Sequence, residues 1–449
     1  MIVRMNESTG HGGESNDRTT SRSRRVDRRR LLRATGGVAA GASLAGCLGT
    51  YGSIVGGDEV DPVRIGVLAP DPDSDSTGRS IVQGARIAVD ELNENDGVLG
   101  RDVEMVVGDT NASPTEGRRQ YQRLILEEDV DVTVGISTTE VLEPLMDDIA
   151  EQETVHLTAG SATTTASENV GSDYDKYKYH FRVGPVNGTN LAEAQLDFLT
   201  EKSQSIGWDS IAVLAEDYAW TDGLWNFYRS QLPETDIDVA TWKRYPPATE
   251  DFSDIYDDVE ESGADAVFIS TAHTGTAALQ DWRPAEREFA FGGIHVPMQL
   301  PSYYEATNGA CEYAVGYASA VPTAEITSKT PEFVSTYRSK HGGTSPVYTG
   351  YIAYDAVKVF ADAATRGETV DSTELVGPLE ETSFTGTTGT IEFHGQDGPH
   401  PHDVIYGEGN VHPVHFQWQE TDDGEGEQTV IWPDEHAADG DEYETPDWL

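Results

Sequence analysis

The stretch VRIGVLAPDPDSDSTGRSIVQGARIAVDELN (residues 63–93) indicates the fold class. Residues 63–68 form a short apolar run, which is typical of a parallel strand buried on both faces. After a turn rich in Asp, Ser and Gly, apolar residues recur at helical spacing from Ser80 to Leu92. A buried strand followed by an amphipathic helix is the repeating unit of a parallel α/β sheet.

The same unit recurs along the chain, and the rhythm restarts after YHFRVGPVNGTN (residues 179–190). Further strands are predicted at 103–107, 130–136, 154–158, 210–215, 240–245, 266–270 and 316–320. Further helices are predicted at 114–128, 141–151, 191–201, 223–231, 252–262, 331–341 and 351–366. We therefore predict an α/β fold of two doubly wound, Rossmann-like lobes.

The N-terminal segment reads as an export signal and a lipid anchor. Arg28-Arg29-Arg30 precedes an apolar stretch, which resembles a twin-arginine signal, and Leu44-Ala45-Gly46-Cys47 resembles a lipobox. We predict that residues 1–46 are removed, that Cys47 carries the lipid, and that residues 47–61 tether the chain to the outer face of the cell membrane. The alternative is a basic disordered tail with a chance cysteine.

The charge of the chain indicates an environment of high salt. The formal net charge is −49, and removal of residues 1–46 leaves 21 basic and 75 acidic residues, a charge of −54. Such a charge repels itself strongly unless salt screens it. The chain has no basic stripe, so nucleic acid is excluded as a partner. Once Cys47 is lipidated, Cys311 is alone, and we predict that it is buried.

The order of several segments resembles the type I periplasmic binding proteins, specifically the branched-chain amino acid (Leu/Ile/Val) binding subfamily of ABC importers. The matching segments include IGVLAP (65–70), GARIAVDELN (84–93), LTAGSATT (157–164), HFRVGP (180–185), AEDYAWTDGL (215–224), YDAVKVFADA (354–363) and TGTTGTIEF (385–393). Their order along the whole mature chain carries the resemblance.

The resemblance implies two lobes joined by three crossings, which we place near Val186, Ala320 and Thr390. The first lobe then comprises residues 62–185 and 321–389, and the second comprises residues 186–320 and 390–432. The ligand would bind between the lobes. Residues 433–449, with seven acids, are predicted to be a solvated tail.

Hydroxyl groups follow two predicted strands of the first lobe. Ser137, Thr138 and Thr139 lie between a strand and a helix, where hydroxyls and a helix N-terminus bind anions such as carboxylates. A plain helix cap explains one of these hydroxyls equally well. Ser161 and Thr163 lie where the resemblance implies contacts to a ligand carboxylate and ammonium, although Ala162 replaces the usual threonine.

In the second lobe the resemblance implies contacts from Trp220 and His273. Trp220 stands where relatives carry a tyrosine over the ligand, and an ordinary core tryptophan is the alternative. His295 stands where amino acid-binding relatives place a carboxylate for the ligand ammonium. Glu216, Asp217 or Glu305 could replace that carboxylate, and a carboxylate, amide or urea-like ligand remains open.

The sequence predicts no cofactor and no metal. Five histidines fall between residues 394 and 415: His394, His400, His402, His412 and His415. Their spacing matches no defined zinc motif, so we predict a metal-free loop. The chain contains none of the G-x-S-x-G, H-E-x-x-H or P-loop motifs, and we predict that it is not an enzyme.

The sequence therefore predicts a lipid-anchored, extracytoplasmic solute-binding component that closes by hinge motion on a small polar organic ligand. Its partners, a permease and an ATPase, are implied by the resemblance. The alternatives are a sensory subunit on the same fold and a secreted amidase-like enzyme.

Overall fold

Residues 61–271 and 273–449 are described by the computed structural model. The predicted signal peptide (residues 1–46), Cys47 and all but the last residue of the predicted tether lie outside the described residues. Nothing in the fold therefore bears on export or lipidation.

Fourteen strands are described, and they form two large sheets and one hairpin. In chain order they are β1 (Val63–Ala69), β2 (Val103–Asp109), β3 (Val132–Gly135), β4 (His156–Ala159), β5 (His180–Gly184), β6 (Ser210–Glu216), β7 (Asp238–Tyr245), β8 (Ala266–Thr271), β9 (Ala290–His295), β10 (Val315–Ala318), β11 (Phe384–Thr385), β12 (Thr390–Ile391), β13 (Val414–Glu420) and β14 (Gly426–Trp432).

Thirteen α-helices are described among the same residues. They are α1 (Ser76–Glu94), α2 (Pro114–Leu126), α3 (Thr139–Gln152), α4 (Thr165–Ser172), α5 (Tyr174–Tyr177), α6 (Gly188–Lys202), α7 (Ala219–Gln231), α8 (Ser253–Ser262), α9 (Gly275–Trp282), α10 (Tyr303–Ala306), α11 (Lys329–Lys340), α12 (Tyr348–Gly367) and α13 (Ser372–Glu380). None of the helices in the described part of the chain combines the length and the apolar composition that a bilayer span requires.

The first sheet is fully parallel, with the strand order β2-β1-β3-β4-β5. The second sheet has the order β14-β13-β10-β9-β8-β6-β7, in which β13 runs antiparallel to both of its neighbours, β10 and β14. Its five parallel strands repeat the topology of the first sheet. The predicted fold class, two doubly wound α/β lobes, is confirmed.

Local sequence explains where the helices next to the site begin. The side chain of Asp75 accepts a hydrogen bond from the backbone N–H of Gly78 and caps α1. The side chain of Asn187 accepts from the N–H groups of Thr189 and Asn190 and caps α6. Both caps lie just after the carboxyl end of a strand, so they fix the turns that border the site.

Buried side chains form one hydrophobic cluster in the first lobe and two in the second, one for each face of the second sheet. Cys311 is buried in the second lobe, as predicted, and burial raises the pKa of its thiol to about 12.

Two pairs of buried polar side chains cross the first sheet. Thr133 Oγ1 lies 2.9 Å from His156 Nδ1, and Thr158 Oγ1 lies 2.9 Å from His180 Nε2. Both histidines are fully buried, and burial lowers the pKa of His156 to about 3. The imidazole of His156 is therefore neutral in the folded protein at ordinary pH.

This burial predicts a loss of stability in acid. The unfolded chain binds a proton at His156 near pH 6.5, whereas the folded chain binds it only near pH 3. Between pH 6.5 and about pH 3 the unfolded state therefore holds more protons than the folded state. The free energy of unfolding should then fall by about 1.4 kcal/mol for each unit by which the pH is lowered. Denaturant unfolding at constant high salt, at pH 7.5 and pH 5, should show a smaller pH dependence for His156→Gln than for the natural chain. Equal pH dependence in the two proteins would contradict the prediction. At pH 7.5 the imidazole is neutral in both the folded and the unfolded state, so the difference in stability between the two proteins at this pH measures the effect of the substitution on packing.

The third crossing lies later in the chain than we predicted. We assigned residues 390–432 to the second lobe, but Ile391, Phe393, Val404 and Val411 pack in the first-lobe cluster. Val414, at the start of β13, packs in the second lobe. The chain therefore crosses between residues 411 and 414, because the segment before it pairs with the edge of the first sheet through Arg182 and Asp403.

The acidic C-terminal segment is not the solvated tail that we predicted. The indole of Trp448 donates to the carbonyl of Arg287 at 2.8 Å and packs against the ring of Trp282. The ring of Tyr443 lies 6.1 Å from that of Trp208. These aromatic side chains dock the segment on the second lobe, and the acids between them face outward.

Candidate functional site

Each lobe has a topological switch point where its strand order reverses. In the first sheet this point lies between β1 and β3, and in the second it lies between β6 and β8. Loops that leave the carboxyl ends of such strands diverge and open a crevice that binds ligands in α/β proteins. The predicted site residues of both lobes follow β3, β4, β6 and β8 or, as with His295, end β9, so they collect at these edges.

The crossings join the same edges. The first crossing, residues 185–187, leaves the carboxyl end of β5 and enters α6. The second leaves the carboxyl end of β10 at Ala318, and the third enters β13 directly opposite that residue. The N–H of Gly188, at the start of α6, donates to the carbonyl of Ala162 at 2.8 Å. The polar edge of each lobe therefore lies beside the segments about which the lobes can hinge.

The two hydroxyl-bearing loops of the first lobe contact each other. A Cβ on Gly160 would lie only 2.6 Å from Cα of Ser137, so only glycine permits this approach. The N–H of Ser161 donates to the carbonyl of Ile136 at 3.2 Å. Ile136 adopts a φ of 62°, a strained conformation for a β-branched residue, and such strain is concentrated at functional sites.

The hydroxyls of the first lobe differ in what they bind. Thr138 occupies the cap position of α3, but its side chain makes no capping hydrogen bond, unlike the plain helix cap considered from the sequence. Ser161 is 2% exposed, and its Oγ has no hydrogen-bond partner among the described residues. The hydroxyl of Thr163, in contrast, donates to Glu143 at 2.6 Å and accepts from the N–H of Thr165. Of these hydroxyls, that of Ser161 is therefore the one whose hydrogen bonding a ligand would complete.

A buried ion pair supports this loop, and sequence reasoning did not assign it. Arg182 and Asp403 are both fully buried, and Arg182 Nε lies 2.9 Å from Asp403 Oδ1. The guanidinium also donates to the carbonyls of Ser161 and Thr163. Asn187 Nδ2 donates to the other carboxylate oxygen at 3.0 Å. An arginine inside the apolar run HFRVG was the available signal, since buried arginines are almost always paired.

In the second lobe a buried carboxylate lies at the switch point. Glu216, the last residue of β6, is fully buried and accepts hydrogen bonds from the hydroxyl of Thr271 at 2.6 Å and the N–H of His273 at 3.0 Å. The imidazole of His273 also bonds to Glu216 through Nδ1, while 51% of its side chain is exposed. The ring of Tyr218 lies 4.8 Å from that imidazole. His273 and Tyr218 thus cover Glu216 on the solvent side, and Tyr218 was not predicted.

Trp220 and His295 are placed differently from our expectation. Trp220 lies in the first turn of α7, partly buried against the second-lobe core, rather than in a loop. His295 is 2% exposed, its Nε2 lies 2.7 Å from the hydroxyl of Tyr303, and burial lowers its pKa to about 3. A Cβ on Gly275 would overlap the His295 ring, so the helix start at α9 packs directly upon it. His295 is thus enclosed beneath the edge that His273 covers.

The five histidines considered as a metal-binding tract are dispersed. His402 stacks on Phe181 at 4.0 Å, and His415 stacks on Phe198 at 4.1 Å, in different lobes. The tract therefore does not act as one cluster.

The fold and the site define a two-lobed protein with matched polar edges beside its hinge, the architecture of a solute-binding protein. The periplasmic binding protein family matches residues 62–419, and the chain belongs to this family.

Similar proteins agree with this assignment. The leucine-, isoleucine-, valine-, threonine- and alanine-binding protein of Pseudomonas aeruginosa is 23% identical over 321 residues, which cover 69% of this chain and 79% of that protein. The branched-chain amino acid transporter substrate-binding protein LivJ of Streptococcus pneumoniae, in complex with isoleucine, has a TM-score of 0.65 at 17% identity and covers 83% of this chain and 100% of its own. A solute-binding protein of an ABC transporter from Rhodopseudomonas palustris, in complex with 3,4-dihydroxybenzoic acid, has the same TM-score of 0.65 at 17% identity, with coverages of 82% and 96%. The fold is therefore shared by proteins with chemically different ligands.

Proposed function

We propose that this chain is the extracytoplasmic solute-binding lipoprotein of an ABC importer and that it captures an amino acid or a related carboxylate or amide. The observation that carries the proposal is the coincidence of a polar cluster with the switch point of each sheet, at edges adjoining the crossings. Family membership supports the transport role, and the motif at Arg28–Arg30 and Cys47 supports export and anchoring.

The first lobe is proposed to bind the acidic end of the ligand. Ser137, Thr138 and Thr139 stand at the N-terminus of α3, where the helix dipole favours an anion. Ser161 contributes a buried hydroxyl with no partner in the described residues. Thr163 is proposed to act mainly by orienting its loop, because its hydroxyl is already engaged with Glu143.

The second lobe is proposed to bind the other end. His273 and Tyr218 contact the ligand first, with Glu216 behind them as the negative charge that a cationic or donor group requires. Trp220 contributes an apolar wall, and its buried indole N–H has no partner among the described residues. His295 supports the edge from beneath through Tyr303 and the start of α9. Glu216 is thus proposed as the carboxylate that the sequence lacks at position 295.

A thermal-shift screen at high salt over amino acids, amides, urea and short carboxylates tests the proposal. A ligand that binds only the folded state raises the melting temperature through RT ln(1 + [L]/Kd). We expect a hit among the compounds that carry a carboxylate or an amide. No stabilisation by any of these compounds, with the lipid-anchored chain shown to be folded, would overturn the proposed ligand class.

The Ser161→Ala variant should separate affinity from stability. Removing an unpartnered buried hydroxyl should leave the free energy of unfolding unchanged or raise it by about 1 kcal/mol. Loss of a hydrogen bond to a ligand carboxylate should weaken binding by about 10-fold or more. Calorimetric titration with the hit and denaturant unfolding measure the two effects. The exposed threonine variant Thr200→Ala is the matched control, and a parallel fall of both quantities in Ser161→Ala would contradict a binding role.

A further inference from the structure

Three side chains that can coordinate metals meet beside β13, away from the polar edges of the sheets. They are His412, which precedes β13, and Glu435 and His436 of the short 3-10 helix Asp434–His436 that follows β14. One donor atom from each of the three lies within 4.8 Å of the other two. This juxtaposition joins the third crossing to the C-terminal segment.

His436 is the strongest indication that this cluster binds an ion. The residue is 8% exposed, and neither ring nitrogen has a hydrogen-bond partner among the described residues. A buried polar group without a partner costs free energy, so such groups are rare and need an explanation. His412 Nδ1 is also buried, and it lies 3.6 Å from Glu435 Oε1, beyond hydrogen-bonding distance. Three buried imidazole nitrogens therefore lie beside one carboxylate and have no hydrogen-bond partner in the part of the chain that the structure describes.

The cluster is reachable from solvent and lies in a negative field. A surface pocket of about 360 Å³ is lined by His412 and five carboxylates, with one cation, Lys202, which pairs with Asp434 at 2.8 Å. The carboxylates are Asp197, Glu201, Glu408, Asp434 and Glu435. Carboxylates around a pocket raise the local concentration of cations, and the pocket supplies an entry path.

We propose that His412, Glu435 and His436 bind one divalent first-row transition-metal ion of the Zn²⁺ type. Two imidazoles and one carboxylate suit borderline metal ions rather than Mg²⁺ or Ca²⁺, which prefer oxygen ligands. Around Zn²⁺, donor atoms at about 2.1 Å are about 3.4 Å apart. The three donor atoms lie within 4.8 Å of one another, so they need to approach by at most about 1.4 Å.

The ion would brace the third crossing. His412 lies between Val411 of the first-lobe cluster and Val414 of the second-lobe cluster, whereas His436 is anchored through its carbonyl to Glu325. Coordination would therefore tie the crossing to the C-terminal segment. This proposal is independent of the ligand that the protein transports.

Titration of the metal-stripped full chain with Co²⁺ and Zn²⁺ tests the site. The measurement is made at high KCl with excess Mg²⁺, which saturates surface carboxylates that bind cations weakly. We expect one Co²⁺ per chain with the visible absorption of a low-coordinate site, displacement by Zn²⁺, and a higher melting temperature with metal. His412→Ala and His436→Ala should each weaken binding by about 100-fold or more.

The control variant His394→Ala/His400→Ala removes two histidines of the neighbouring loop and should leave the affinity unchanged. Because His436→Ala removes a buried side chain, Glu435→Gln, on a side chain that is 49% exposed, provides a variant that should stay folded and bind more weakly. The proposal is overturned if Mg²⁺ abolishes binding, if the control loses the metal, or if the His412, Glu435 and His436 variants bind as tightly as the natural chain.

Discussion

Replacement of Asp403 by alanine is expected to lower the free energy of unfolding by about 3–5 kcal/mol. Asp403 and Arg182 are both fully buried, so the change leaves an uncompensated guanidinium in the interior. It also removes the acceptor for Asn187 Nδ2, whose side chain caps α6. Denaturant unfolding at high salt measures the loss.

Two further variants show whether burial of the pair causes this effect. Asp258→Ala breaks an ion pair with Lys243 in which both side chains are partly exposed, and it should cost less than about 1 kcal/mol. The double variant Arg182→Leu/Asp403→Leu removes both charges and should be more stable than Asp403→Ala alone. A loss in Asp403→Ala no larger than in Asp258→Ala would contradict the assigned role.

The same variant should weaken ligand binding. Arg182 donates to the carbonyls of Ser161 and Thr163, so its displacement frees the loop that is proposed to hold the ligand carboxylate. Asp403→Ala should therefore reduce the affinity for the screened ligand, although Asp403 itself is buried and makes no direct contact. Asp258→Ala should bind as the natural chain does.

Dilution of KCl from about 1 M to about 0.1 M is expected to lower the free energy of unfolding by about 5 kcal/mol, which corresponds to a fall of about 6 °C in melting temperature for roughly 390 residues that unfold together. The chain has a formal charge of −49, and over this range the Debye length grows from about 3 Å to about 10 Å. Salt at about 1 M screens the repulsion between neighbouring carboxylates, and this repulsion becomes strong when the salt is diluted. Calorimetric melting at a series of KCl concentrations measures the effect.

Screening is separated from other effects of salt by two comparisons. Sucrose, which stabilises by exclusion from the surface without screening charge, should not restore the low-salt protein fully. Replacement of exposed acids such as Glu94, Asp96, Glu250 and Asp254 by their amides should reduce the dependence on KCl. A melting temperature that is independent of KCl would contradict the inference that the protein is built for high salt.

Local sequence patterns predicted most of the strands and helices. Predicted strand residues 63–68 became β1, and the predicted helix at residues 351–366 became α12 with one extra turn at its start. In contrast, β9 was missed, because AFGGIH contains two glycines that read as a turn. In the structure β9 is a fully buried strand between β8 and β10, which no local pattern indicates.

The assignment of site residues from the sequence stays a prediction. The structure places Ser137 next to the loop of Ser161, since consecutive parallel strands end at one edge. The sequence analysis did not identify Tyr218 or the pairing of Arg182 with Asp403. It expected His295 to contact the ligand, whereas the structure buries His295 beneath the start of α9. These outcomes depend on tertiary contacts between side chains, which the periodicity of the sequence does not reveal.

The sequence by itself determined the repeated strand–helix units, the two lobes and the acidic surface, because apolar spacing and charge act locally along the chain. Only the tertiary structure decided the partners of the buried polar groups, such as Arg182 with Asp403 and Glu216 with His273. Arg182 and Asp403 lie 221 residues apart in the chain, and their pairing arises only when the segment after β12 packs against the edge of β5. Burial of an unpaired charge is costly, so a buried charge is paired with an opposite charge. Which residue supplies that opposite charge depends on the tertiary fold, because the two can be far apart in the sequence.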